Sequence, residues 1–312
     1  MSRIHDALRR AEQLGEATAA CSADAAQSSP SEVPNLLDMA GLVPAGSLLD
    51  RVEEVPFRPA PQALLIDFTQ PQEAPNEEFR SLRTKLNHLQ KLQPLHTVVV
   101  SSASPAEGKS FVASNLALAE SQLSGNLTLL ADFDFRRPVI HSSFQIPRSP
   151  GVTDYLLGNA SLEEVIKRVA GTNLFLMPAG TAVKNPLELL NLRQARSLLR
   201  ELPKLFNWVI LDSPPLLFSA DANLIGTFTD GTILVVRIGQ TTIDAVSRAM
   251  QSLCENNVLG VVVNGARAGE LYSKYTYYYS SYKYRERESE GEATDLAPAE
   301  SQSDAPQASG EQ

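Results

Sequence analysis

The stretch HTVVVSSASPAEGKSFVASNLALAESQ, His96–Gln122, decides the fold. It opens with HTVVVSSA, a short β-branched run of the kind that makes a buried strand. It closes with FVASNLALAESQ, which patterns as a helix. Between them lies ASPAEGKS, Ala103–Ser110. This follows the phosphate-loop pattern G-x-x-x-x-G-K-[ST], with Ala103 in the place of the first glycine. Backbone N–H groups at a helix N-terminus point at phosphate oxygens. Gly108 lets the backbone come close, Lys109 sets a charge on the β- and γ-phosphates, and Ser110 offers its hydroxyl to Mg²⁺. The expected nucleotide contacts are therefore Ser104, Pro105, Ala106, Glu107, Gly108, Lys109, Ser110 and Phe111, with ATP and Mg²⁺ as the ligands.

Working outward, further apolar runs alternate with helical patterns. The strands are read as His96–Ser102, Leu127–Phe133, Leu174–Pro178, Trp208–Asp212, Thr232–Ile238 and Leu259–Asn264. The helices are read as Lys109–Gln122, Leu162–Val169, Pro186–Leu202 and Ile243–Glu255. Unbroken apolar strands alternating with helices predict an α/β fold, a mostly parallel sheet covered on both faces. With the phosphate loop, the class is a P-loop NTPase.

Three carboxylates fall at strand ends. LLADFDFRRP places Asp132 and Asp134 two apart, which predicts that they share one strand face because strand side chains alternate. WVILDSPP ends in Asp212. Ligands of open parallel sheets bind at this C-terminal edge. Ser110, Asp212 and one of the paired aspartates, Asp134, are the candidate Mg²⁺ oxygens. The remaining carboxylate can take a proton from an incoming hydroxyl. The competing reading pairs Asp134 only with Arg136 or Arg137.

The rest of the 312 residues bounds the protein further. Net charge is −9, of which −7 lies from Glu286 onward, so the body is close to neutral and no basic surplus argues for nucleic acid. No apolar run approaches the ~20 residues of a membrane span, and the start, MSRIHDALRRAEQLGEA, is polar, which together predict a cytoplasmic protein. Cys21 and Cys254 have no metal-ligand spacing and read as free thiols. Residues 1–15 pattern as a short amphipathic helix, either a frayed terminus or a docking helix. Residues 16–61 read as a disordered linker, 62–271 as the compact domain and 286–312 as a disordered acidic tail. Residues 272–285 hold seven of the eight tyrosines: Tyr272, Tyr275, Tyr277, Tyr278, Tyr279, Tyr282 and Tyr284. They are interleaved with Ser, Thr, Lys and Arg and lack aliphatic neighbours, which suits a solvated substrate strand.

In ASPAEGKS, LLADFDFRRP, VILDSPP, the upstream EEFRSLRT and the tyrosine cluster, the chain resembles the bacterial tyrosine kinases of capsule and exopolysaccharide systems, in their cytoplasmic form. The resemblance covers about Pro75–Tyr284. It implies an ATP-dependent autokinase that phosphorylates the tyrosine cluster of a neighbouring subunit. It implies Lys109 and Ser110 on phosphate and Mg²⁺, and Asp132 as the base toward the tyrosine hydroxyl. Asp134 is catalytic or metal-associated beside Asp212, with the two paired aspartates not separable from sequence. Glu77, Arg80 and Arg83 lie beside a helical stripe of Phe79, Leu82, Leu86 and Leu89. The resemblance implies that they join unphosphorylated subunits into a ring, whereas composition alone reads them as surface charges. It further implies a membrane polysaccharide co-polymerase as activator, which would hold the protein at the inner face of the membrane.

Two other readings compete. A MinD/ParA-like positioning ATPase would use water as acceptor, but that group carries an early loop lysine where this chain has Ser104, and has no use for a tyrosine cluster. A nucleotide-binding scaffold without catalysis does not explain why the lysine, the serine and three aspartates are all present. Ala106 stands where the resembled loops have glycine, and would resist a positive φ.

Overall fold

The computed structural model describes residues 48–66, 75–253 and 258–266. The amphipathic pattern of 1–15, most of the expected linker, the tyrosine cluster and the acidic tail lie outside the described residues. The described elements, in chain order, are β1 (Glu53–Val55), α1 (Asn76–Leu92), β2 (Thr97–Ser102), α2 (Lys109–Ser121), β3 (Thr128–Asp132) and α3 (Ile140–Ser143). There follow α4 (Val152–Leu156), α5 (Leu162–Val165), β4 (Lys167–Val169), β5 (Leu174–Met177), α6 (Pro186–Leu190) and α7 (Arg193–Leu205). The chain continues through β6 (Trp208–Asp212), α8 (Ala220–Gly226), β7 (Gly231–Arg237), α9 (Ile243–Ser252) and β8 (Val258–Asn264).

The eight strands form one sheet in the order β1-β4-β5-β3-β6-β2-β7-β8. Every pairing is parallel except β4 with β5. Side-chain alternation divides the core. Val99, Leu129, Ala131, Val209 and Leu211 face α7, whose Ala195, Leu198, Leu199 and Leu202 supply an i, i+3, i+4, i+7 stripe. Val98, Val100, Leu130, Trp208 and Ile210 face α1 and α2. The stripe of α1 is as read from sequence: Phe79 and Leu86 are buried, with Leu82 and Leu89 packed beside them. Trp208 is fully buried, and its indole N–H donates to Asn87 of α1 at 3.3 Å. Truncating Leu130 or Ile210 in these layers to Ala would cost about 2–5 kcal/mol.

Several boundaries differ from the sequence reading. Residues 48–61 are not linker: Glu53–Val55 pairs in parallel with Lys167–Val169, and Val55 is buried in the core. The compact domain thus begins before residue 62. The helix expected over Leu162–Val169 stops after one turn. Ser161 and Glu164 form its capping box, and the chain then turns into the antiparallel strand β4. The helix expected over Pro186–Leu202 is two helices, broken at Asn191–Leu192, where Leu192 adopts extended backbone.

The topology positions the site. From β2 the chain crosses over β6 to reach β3 by way of α2. From β6 it crosses over β2 to reach β7 by way of α8. The two crossover helices pack on opposite sheet faces. Connections that diverge in this way open a crevice beyond the strand C-termini, where ligands of open α/β sheets bind. In register, Asp132 of β3 pairs with Asp212 of β6, and Val100 of β2 pairs with the same Asp212.

Candidate active site

The phosphate loop follows β2 and opens α2. Two of its residues lie in the left-handed region, Ala106 at φ 63° and Gly108 at φ 98°. A Cβ at Gly108 would run into the Asn264 side chain, so glycine is required there both by conformation and by space. Ala106 takes the positive φ that its Cβ disfavours, and neighbours hold it there: Arg237 Nη1 donates to its carbonyl at 3.0 Å. Glu107 ties the loop from inside. Its Oε2 accepts from the Ser104 N–H at 2.9 Å and its Oε1 from the Thr241 hydroxyl at 2.6 Å. Asn264 Nδ2 donates to the Glu107 carbonyl at 2.9 Å. The Glu107 side chain is thus a buried brace, although the sequence reading placed it among the nucleotide contacts. Arg237, Thr241 and Asn264 were missed by that reading.

The other flank of the loop carries the acids. Lys109 Nζ lies 2.9 Å from Asp134 Oδ2, 3.5 Å from Asp212 Oδ1 and 3.0 Å from the Ser110 hydroxyl. Burial penalises the ammonium, but the charges of Asp212 and Asp134 outweigh it and hold the Lys109 pKa above its ordinary value. Asp134 Oδ1 accepts from the Arg137 backbone N–H at 2.9 Å. Its ionic partner is therefore Lys109. Arg136 instead forms a fork on the buried Asp221, at 2.8 and 3.3 Å.

Asp132 and Asp134 do not share a face. β3 ends at Asp132, so strand alternation no longer governs Asp134. Asp132 turns toward the start of α3. Its Oδ2 accepts from the N–H groups of Val139 and Ile140 at 3.0 Å each, and its Oδ1 from that of Asp134 at 3.2 Å. Burial pushes its pKa well up, with the Asp212 charge adding to the effect. Asp134 lines the open cavity and Asp132 does not.

That cavity has a volume of about 410 Å³. Pro105, Ala106, Gly108, Lys109, Ser110 and Phe111 wall it on the loop side, and Asp134, Arg136, Pro215 and Phe218 on the other.

Asp212 is the test of a metal. It is fully buried, and neither carboxylate oxygen accepts a well-formed hydrogen bond. Burial raises its pKa against the opposing pull of Lys109 and Ser110. An under-coordinated buried carboxylate facing a serine hydroxyl and a phosphate loop is a donor set that fits Mg²⁺, which takes few protein oxygens and fills its shell with phosphate and water. Among the described residues no cluster of three acidic, His or Cys ligands forms a self-sufficient metal cage.

No protein-family model matches the sequence. The chain is 33% identical over 219 residues to the tyrosine-protein kinase YwqD of Bacillus subtilis, covering 70% of this chain and 92% of YwqD. The chain belongs to the bacterial tyrosine-protein kinases. The kinase is also 33% identical over 191 residues to a putative tyrosine-protein kinase in the cps region of Klebsiella pneumoniae, covering 61% of this chain but 26% of that larger protein. Among solved structures it matches the kinase domain of the Escherichia coli tyrosine kinase ETK. There the TM-score is 0.60 and the identity 32%, over 65% of this chain and 82% of that one. No helix among the described residues is long and apolar enough to cross a membrane.

The charges of α1 have intramolecular partners in this kinase. Arg80 and Glu77 stand 3.7 Å apart. Arg83 Nη1 donates to the Ala119 carbonyl at 2.8 Å, capping the C-terminal end of α2. Beside it the buried Glu120 accepts from Asn87 and Asn126. Burial pushes the Glu120 pKa up to about 7 against those donors and Arg83.

Proposed function

We propose that this kinase transfers the γ-phosphoryl group of ATP to tyrosines within 272–284 of a neighbouring copy of itself. The observation that carries this reading is the grouping of Lys109, Asp134 and the under-coordinated Asp212 beside the phosphate loop, at one wall of an open cavity. Family membership and the seven clustered tyrosines support the choice of acceptor.

Loop N–H groups and Lys109 would hold the phosphates. Ser110 and Asp212 would hold Mg²⁺, which when bound offsets the phosphate charge. Lys109 then exchanges its carboxylate partners for phosphate oxygens, and Asp134 is freed on the cavity side. Asp134 accepts the phenolic proton as the tyrosine oxygen bonds to the γ-phosphorus and the bond to the β-phosphate oxygen breaks, leaving ADP. The phenol, with pKa near 10, needs that acceptor at neutral pH. Asp132 acts as a positioning residue, because its hydrogen bonds fix the turn that carries Asp134.

The role in capsule or exopolysaccharide output, the membrane co-polymerase partner and the ring of unphosphorylated subunits extend the same proposal. Each added phosphate brings about −1.5 to −2 charge, so a phosphorylated cluster should loosen subunit contacts. The Glu77 side chain is 75% exposed and a guanidinium carries about five N–H donors, so the contacts that Glu77, Arg80 and Arg83 make within the chain leave room for contacts in such a ring.

The test is incubation with γ-labelled ATP and Mg²⁺, followed by phosphoamino-acid analysis. Label on tyrosine, lost in Lys109→Met and in a chain whose seven tail tyrosines are Phe, is the expected result. Phosphate release without tyrosine labelling would replace the kinase reading by that of an ATPase.

A further inference from the structure

Phe218 stands at the rim of the cavity with 66% of its surface exposed. A single exposed phenylalanine needs no explanation by itself. Its mounting is what sets it apart. The Leu216 N–H donates to the Ser102 carbonyl at 2.8 Å, the Leu217 N–H to Ala103 at 3.3 Å and the Phe218 N–H to Pro215 at 3.2 Å. Leu216 is buried in the core below. On the far side, Ser219 caps α8 by accepting from the Asp221 N–H, and Asp221 holds Arg136. The turn is thus pinned at both ends while the ring it carries stays outside the core. Among the described residues Phe218 stacks on no other aromatic ring. With Pro215 and Val139 it gives an apolar surface to a cavity that also presents Asp134.

We propose that Phe218 determines the acceptor: the tyrosine ring lies against Phe218 and Pro215 while its hydroxyl reaches Asp134. This rests on the kinase reading above and names the residue that recognises its substrate. The tail makes such recognition necessary. Ser273, Thr276, Ser280 and Ser281 stand among the tyrosines, so aliphatic and phenolic hydroxyls arrive at the site together. A serine or threonine has no ring to lie on the platform, and its hydroxyl stays close to its own backbone. Stacked or edge-on aromatic pairs contribute beyond simple burial.

The experiment separates catalyst from acceptor. The catalyst is the full chain with its seven tail tyrosines changed to Phe, with or without Phe218→Ala or Phe218→Tyr. The acceptor is the full Lys109→Met chain, varied in concentration with saturating Mg-ATP. Removal of a binding contact raises KM and leaves kcat in place. Phe218→Ala is expected to raise acceptor KM about three- to tenfold. Its kcat and its affinity for a fluorescent ATP analogue should stay at the parent's values, and Phe218→Tyr should behave as the parent. An unchanged acceptor KM, or a parallel loss of nucleotide affinity, overturns the assignment of Phe218. If the parent catalyst itself labels no tyrosine, the kinase reading fails, and the assignment with it.

Discussion

The two flanks of the phosphate loop are built on opposite principles. Toward β7 and β8, the polar groups are matched one to one: Glu107 with Ser104 and Thr241, Asn264 with the Glu107 carbonyl, Arg237 with the Ala106 carbonyl. Toward β6 and β3, one lysine faces three buried carboxylates, and Asp212 has no well-formed hydrogen bond. The first flank is satisfied and fixes the loop's shape. The second is electrostatically incomplete, and incompleteness of this kind marks sites whose remaining partner is a ligand. Shape and chemistry are therefore assigned to different strands of one sheet.

The largest effect should come from the incomplete flank. Lys109→Met removes the ammonium that, among the described residues, pairs with Asp134 and Asp212, and tyrosine transfer should fall by on the order of 10²–10³ in single-turnover assays. A loss below tenfold would mean that the carboxylate flank is not the chemical one.

Glu120, at the opposite end of α2, isolates what burial alone does to a carboxylate. Its folded-state pKa of about 7 lies above the ordinary 4.5. Between those values the folded protein keeps a proton that the unfolded chain releases, so this contribution to stability is present at low pH and is lost as pH rises to about 7. Glu120→Gln removes that slope. Its stability relative to the parent should rise between pH 5 and 7 by on the order of 2 kcal/mol and level off above that range. Urea unfolding across that range measures it, and a pH-independent difference would show that burial does not shift this acid.

Glu107→Ala probes the satisfied flank. The Ser104 N–H and Thr241 hydroxyl lose their acceptor, and nucleotide affinity should weaken about tenfold with kcat at saturation retained. A collapse of kcat as deep as that of Lys109→Met would erase the distinction between the flanks. The smallest effect is Ala106→Gly. Relief of the left-handed alanine should outweigh the added freedom of the unfolded chain by up to about 1 kcal/mol, a rise of about 2–4 °C in Tm.

The same division governs what the sequence revealed. Lys109, Ser110 and Asp212 were legible because strand, loop and helix signals are local and fix which strand end each occupies. The satisfied flank was not, because three of its four hydrogen bonds join residues 131 to 157 positions apart, the local one being Ser104 with Glu107. The separation of Asp132 from Asp134 was hidden for another reason: period-two alternation holds only inside a strand, and β3 stops between them. β1 escaped notice because a three-residue edge strand with one buried side chain leaves no periodic signal in a Pro- and acid-rich run. The six longer strands were found because their apolar runs are continuous: β2, β3 and β6 are interior parallel strands buried along their whole length, whereas β8 shows the same apolar run at the sheet edge.

The central claim is phosphoryl transfer to tyrosine between copies. The most direct measurement mixes an active chain whose seven tail tyrosines are Phe with an intact-tailed Lys109→Met chain, adds Mg-ATP, and locates phosphate on the Lys109→Met chain by mass spectrometry. Phosphotyrosine within 272–284 of that chain is the expected result. ATP consumed with those tyrosines unmodified would contradict the claim.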